Sequence, residues 1–141
     1  MNILLAQDGS AVALRAAAKL VEHLRWFSAP PHIHLLFVHP PIPIEFATQH
    51  LSRAALDAYY REEGEQALRG ARELLDANGI DYTPHIHVGA VAETIVKRAG
   101  ELGCELICMG THGRGALGSA LMGSATVKVL HLASLPVMLV K

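Results

Sequence analysis

Cysteine is scarce in this chain, with only Cys104 and Cys108 among 141 residues. Two are too few for a disulfide framework, and their spacing is not the Cys-x-x-Cys of redox or zinc motifs. Aromatic residues make up 5% and charged residues 18%, so close helix–sheet packing is favoured over large ring clusters. Net charge is −1, which gives no global pull toward nucleic acid or a membrane surface. No run approaches the roughly 18–20 apolar residues that a membrane-crossing helix needs. Met1–Asp8 has no basic region ahead of its short apolar stretch, unlike a secretory signal. A reduced, cytoplasmic setting is the expectation.

Acids are missing from one region. Residues 45–76 hold seven carboxylates against four arginines, yet none follows Glu105. The last 36 residues carry only Arg114, Lys128 and Lys141 with two histidines. An acid-free, glycine-rich tail suits an anion, although a buried segment with little room for charge looks the same in sequence. Half the residues are apolar (51%). The length suits one domain over residues 1–141, with a core of its own.

Apolar runs alternate with helix-period segments along the whole chain. Ile3–Ala6, Ile33–Val38, Tyr82–Val88, Glu105–Met109 and Pro136–Val140 read as strands. Residues 11–26, 50–78, 90–102 and 124–132 read as helices. In the first, Leu14, Ala18 and Val21 fall at helical spacing. In the second, Leu51, Ala55, Tyr59, Leu68 and Leu75 form the expected inward stripe, and Asn78-Gly79 the C-cap. Residues 40–49 form a proline-rich apolar loop. Strands that are apolar on both faces imply a parallel sheet with helices on each side. The expected fold is an open, doubly wound, five-stranded α/β sheet of Rossmann-like type. Ligands of such sheets sit beyond the carboxyl ends of the strands, where strand order reverses. Two carboxyl-end loops stand out, Asp8-Gly9-Ser10 and Gly110-Thr111-His112-Gly113.

The second loop opens a segment with five glycines between positions 110 and 123, set between a strand and a helix. Glycine lets backbone approach a ligand closely, and Ser124 starts a helix whose first N–H groups can take phosphate oxygens. Ser124 and Thr126 hydroxyls would add donors, and His112, Arg114 or Lys128 charge. The plainer alternative is a loop whose glycines serve turns only. No Gly-Lys-Ser/Thr follows, so this is not a Walker loop. Gly113-Arg114-Gly115-Ala116-Leu117-Gly118 fits Gly-x-Gly-x-x-Gly, but it follows the fourth strand and no acid lies about 20 residues beyond to hold a ribose.

Gly110, two residues, Gly113, nine residues and Gly123-Ser124 together resemble the signature of the nucleotide-binding branch of the universal stress proteins. The resemblance extends to Asp8-Gly9-Ser10, to Gly89–Ile95, to Cys104–Gly110 and to the closing Leu135–Val140. It implies ATP with its phosphates over Gly110–Gly113 and the Gly123-Ser124 helix start. It places Asp8 at the nucleoside end and the backbone of Val38 against adenine. The implied binding set is Asp8, Val38, Met109, Gly110, Thr111, His112, Gly113, Arg114, Gly123, Ser124, Ala125 and Thr126. ADP or AMP could replace ATP, and a divalent cation such as Mg²⁺ could accompany it. The resemblance also implies a homodimer joined through Val137–Val140. Two positions depart from the pattern. Gln7 stands where relatives carry a small or β-branched residue, which bears on the adenine pocket. Ser119 stands where a basic residue is common, which bears on phosphate affinity.

His32 and His34 share one strand face, as do His85 and His87, so four imidazoles could meet and offer zinc-type ligation if those strands are neighbours. No Ser-His-Asp set is legible, and no residue reads as a committed base. Three functions stay open from sequence. They are a regulatory ATP-binding protein, an ATP phosphohydrolase or adenylyl transferase on the same site, and an interaction module with an empty pocket.

Overall fold

The computed structural model describes residues 1–43, 52–114 and 122–141. Strands β1 (Asn2–Ala6), β2 (His32–His39), β3 (Tyr82–Val88), β4 (Leu106–Gly110) and β5 (Val137–Val140) alternate with helices α1 (Ala11–His23), α2 (Arg53–Ala77), α3 (Val91–Glu101) and α4 (Ser124–Leu132). A 3-10 turn at Leu24–Trp26 ends the first helical segment, so α1 is shorter than its sequence pattern suggests. Residues 44–51, most of the proline-rich loop, and 115–121, with Ser119, lie outside the described residues.

The sheet is parallel throughout, in the order β3-β2-β1-β4-β5. The chain therefore builds outward from β1 on one side, crosses back, and builds outward on the other. The order reverses between β1 and β4, and any ligand crevice belongs at their carboxyl ends. This is the doubly wound fold expected from the alternating pattern.

Strand alternation splits the core into two layers. Ile3, Leu5, Ile33, Leu35, Phe37 and Cys108 face α1 and α2. Leu4, Ala6, Leu36, Val38, Ile107 and Met109 face α3 and α4. The α1 layer is thin because the buried residues of α1 are Ala13, Ala16, Ala17 and Leu20. Leu14 lies outside that stripe and is 41% exposed. It rests instead over Gly70 of α2, where an added Cβ would come 3.3 Å from its side chain.

The inward stripe of α2 also starts later than its pattern implies. Ala55 and Tyr59 are exposed, and burial begins at Gly64, continuing through Ala67, Leu68, Ala71 and Leu75. A 25-residue helix is about 37 Å long at 1.5 Å per residue. That outruns strands of four to eight residues, so its first turn lies past the strand ends, and Tyr59 and Tyr60 reach the ring of His39, the last residue of β2. Gly64 exists for contact. A Cβ there would lie 2.6 Å from Ile86 of β3, so only glycine allows α2 to approach this strand so closely.

Cys104 and Cys108 are both buried. Cys108 directs its Sγ toward the Ala16 carbonyl at 3.8 Å, and burial pushes its thiol up to about 12.

Candidate functional site

Two strand-to-helix turns meet at the crevice. In the first, after β1, Gly9 adopts φ 79°, a conformation that side chains resist. A Cβ there would also crowd Arg114 Nη2 at 3.0 Å and Ala67 Cα at 3.2 Å. The turn satisfies itself. Ser10 Oγ accepts from Ala13 N at 3.1 Å and caps α1, while Asp8 Oδ1 accepts from Ser10 N at 2.9 Å. The other Asp8 oxygen accepts from Arg114 N at 3.1 Å, tying the two turns together.

The second turn, after β4, is left less complete. Thr111 N donates to Val140 O and Gly123 N to Thr111 O, at 2.9 and 2.8 Å. These bonds hold the two ends of the 110–123 segment side by side. Gly123 precedes α4 with no side-chain cap. Among the described residues, the N–H groups of His112, Gly113, Ser124, Ala125 and Thr126 have no acceptor. Of the described backbone between 110 and 126, part is thus bonded within the protein and part is available, chiefly at the start of α4.

The glycines here differ in why they are glycine. Gly110 is required by packing, since a Cβ would meet Val12 Cγ1 at 2.9 Å and the backbone of Val12 and Ala13 at 3.1 and 3.2 Å. Gly113 would bring a Cβ to 2.9 Å from Asp8 Oδ2. Gly123 has neither constraint. Its φ is −62° and the nearest atoms to a Cβ are 3.5 Å away. Conformation and packing would accept serine or aspartate, the usual N-caps. Glycine there keeps the helix mouth bare.

Between the turns lies an open hollow, with about 470 Å³ of empty space inside its walls, solvent included. Eight of the twelve expected residues line it: Asp8, Val38, Met109, Gly110, His112, Gly113, Ala125 and Thr126. Thr111, Arg114, Gly123 and Ser124 are not part of its wall. The walls also include Ala6, Gln7, Ala13, Leu36, Val91 and Ile95. Leu36 was recoverable from its two-residue spacing to Val38, and Ile95 from its four-residue spacing to Val91. Their facing the crevice needed the topology.

At the strand end of the hollow, β2 outruns β1. The paired register of β1 with β2 ends at Ala6 and Leu36, and Gln7 N donates to Leu36 O. Alternation puts the Val38 amide and carbonyl on the same side as those of Leu36, beyond the last β1 pairing. They have no partner among the described residues. A free donor–acceptor pair therefore fronts the apolar side chains of Ala6 and Leu36.

Several expected donors are already engaged. The Thr126 hydroxyl donates to Gly110 O at 3.2 Å. Arg114 folds back from the hollow, with Nε on the Asp8 carbonyl, Nη1 3.5 Å from Glu63 and its guanidinium 5.9 Å from the Phe37 ring centre. Lys128 pairs with Glu93. Neither cation is left for a ligand in this arrangement, so the main chain supplies the positive end of the site. His112 Nδ1 lies 2.8 Å from Thr111 Oγ1, and its Nε2 is enclosed without a partner.

The four strand histidines do share a face, because β2 and β3 are neighbours. His34 Nδ1 is 3.1 Å from His85 Nε2, with His32 and His87 flanking. Among the described residues no group of three or more His, Cys, Asp or Glu has an arrangement that holds a metal. Burial lowers the pKa of His34, His85 and His87; neighbouring imidazoles and Arg98 lower His34 and His85 further, and Arg98 lowers His87 against an opposing Glu101.

The sequence profile of the Universal stress protein family matches residues 1–141. The chain belongs to the universal stress protein family. A universal stress protein from Thermus aquaticus, encoded in a sulfhydrylase 3′ region, is 34% identical over 141 residues, 99% of this chain and 98% of that protein. The solved structure of MJ0577, a universal stress protein of Methanocaldococcus jannaschii, superposes with TM-score 0.83 at 28% identity, covering 99% of this chain and 94% of that one. Two further universal stress proteins share the fold at lower identity. One, in complex with cAMP, has TM-score 0.68 at 24% identity over 100% of this chain and 97% of that one. The other, from Arabidopsis thaliana with AMP bound, has TM-score 0.70 at 18% identity over 100% and 91%. In this universal stress protein, no helix among the described residues is long and apolar enough to cross a membrane.

Proposed function

We propose that this chain is an adenine-nucleotide-binding regulatory protein of the cytoplasm, a single domain acting as a homodimer, with ATP as its ligand and ADP or AMP as alternatives. The observation that carries the reading is the uncapped start of α4. Its amides open on the hollow, and Gly123 stands where neither conformation nor packing asks for glycine. A polyanion is the ligand such a mouth suits. The same fold holds cAMP in one relative and AMP in another.

The base lies between Ala6, Leu36 and Val38, and the phosphates run past Gly113 to Ser124 and Ala125. Asp8 is the one carboxylate on the described walls, and each of its oxygens already accepts an amide. Mg²⁺ would therefore be held by phosphate oxygens and water rather than by the protein. Binding rather than turnover is the function, and occupancy resets the surface around 110–123 for a partner protein. The dimer forms along β5. That edge carries no carboxylate side chain, and Val127, Leu130 and Leu132 of the adjacent α4 are 39–46% exposed.

Isothermal titration of the full chain with ATP, ADP and AMP tests this, with binding expected in the micromolar range, about −8 kcal/mol. Mass spectrometry of the purified protein should find co-purified nucleotide. No heat with any of the three would remove the reading. Steady-state product formation would move it to the enzyme class, and light scattering reads the dimer.

A further inference from the structure

Gln7 is a buried polar side chain at the strand end of the hollow, only 5% exposed. Its orientation is fixed by chemistry. Nε2 lies 2.8 Å from the Ala13 carbonyl. A carbonyl can only accept, so the amide nitrogen must face Ala13 and Oε1 must face away. Oε1 has no donor among the described residues. Among the described residues, the side-chain polar atoms that are both enclosed and unpartnered are Arg72 Nε, Arg98 Nε and His112 Nε2. Gln7 Oε1 is not among them, so the described residues leave it an open face. Because the residue is otherwise buried and forms part of the hollow's wall, that face turns to the hollow.

Its neighbours sharpen the point. The Gln7 amide is bonded to Leu36 O, two residues before the free backbone pair of Val38. Asp8 is the other polar side chain at this end, and its two oxygens each hold an amide already. Among the described residues, Gln7 Oε1 is therefore the uncommitted side-chain acceptor where the base would lie.

We propose that Gln7 reads the base, its carboxamide oxygen accepting a hydrogen bond from the exocyclic amine of adenine. The assignment rests on the nucleotide reading of the hollow and adds its selectivity. A purine with an oxo group at C6 sets oxygen against oxygen, and the Ala13 bond keeps the amide from flipping to suit it. A purine with hydrogen at C6 loses the bond without the repulsion.

Titration calorimetry of the full chain with ATP, purine riboside triphosphate and inosine triphosphate tests this. The expected order of affinity is ATP, then purine riboside triphosphate, then inosine triphosphate. The gap from first to last should be roughly tenfold or more, the scale of one buried hydrogen bond. Gln7→Met keeps the side-chain length and removes the acceptor, so it should cut the preference for ATP over inosine triphosphate at least about threefold while ATP still binds. Equal affinity of the wild type for the two would overturn the role of Gln7 and leave the nucleotide site standing. So would a preference that is undiminished in Gln7→Met. Binding of none of the three would remove both. The wild-type ranking needs no variant, so the result stands even if Gln7→Met fails to fold.

Discussion

Helices α1 and α4 both start at the same crevice, one on each side of the strand-order reversal, and they start differently. The first has serine as its N-cap, with Oγ on Ala13 N, and an aspartate that closes the turn. The second has glycine and no cap. One mouth is finished by its own side chains and the other is left for something else to finish. A capped start is a structural device, worth about 1 kcal/mol to the fold. An uncapped start with room for a cap gives up that stabilisation and keeps a binding surface.

The contrast breaks most sharply at Gly123. Gly123→Asp gives α4 the kind of cap that α1 has, in a space that accepts a side chain. Folding stability should hold within a few tenths of a kcal/mol or rise slightly. A carboxylate about 4 Å from a phosphate charge costs on the order of 4 kcal/mol at surface dielectric, so ATP affinity should fall at least about a hundredfold by calorimetry.

Gly110→Val reverses the pattern, because that glycine answers to packing against Val12 and Ala13. Overpacking should cost about 1–3 kcal/mol, read from urea denaturation. Ser10→Ala removes the cap of α1 and should cost about 1 kcal/mol, with ATP affinity unchanged.

The smallest effect belongs to a region outside both helix starts and serves as a control. His34, His85 and His87 have pKa values below the ordinary 6.5 in the folded chain. Their surroundings are His32 on β2, Thr83 on β3, and Arg98 and Glu101 on α3. As pH falls below 6.5, the unfolded chain takes up protons that the folded chain refuses. Stability is then complete above 6.5 and declines as pH drops through the depressed folded values. Denaturant midpoints measured across that window should fall, and the double change His34→Gln with His85→Gln should flatten the slope.

Most of the fold was legible because strands that are apolar on both faces leave few alternatives to a covered parallel sheet. What misled was helix facing. Leu14 and Tyr59 fit a helical stripe, but small residues, Ala16, Ala17 and Gly64, take the closest contacts in this thin layer. The larger side chains are left at the margins. Of the candidate site, the glycine segment and Asp8 could be found by spacing, since backbone approach needs glycine at set places. The engagement of Arg114 with Glu63, and of Thr126 with Gly110, could not. Those pairings join residues brought together only by the strand order. Gln7 was visible as a departure from the family pattern, while its hydrogen bond to Ala13 was not.

The burial of Cys108 has a practical consequence. A thiol held up to about 12 and packed against α1 is shielded from alkylating reagents while the sheet is intact. Its labelling rate is thus a clock for opening of the α1–β4 contact, built into the wild-type chain without a probe. Ligand that closes the crevice should slow that clock in proportion to the fraction of molecules occupied.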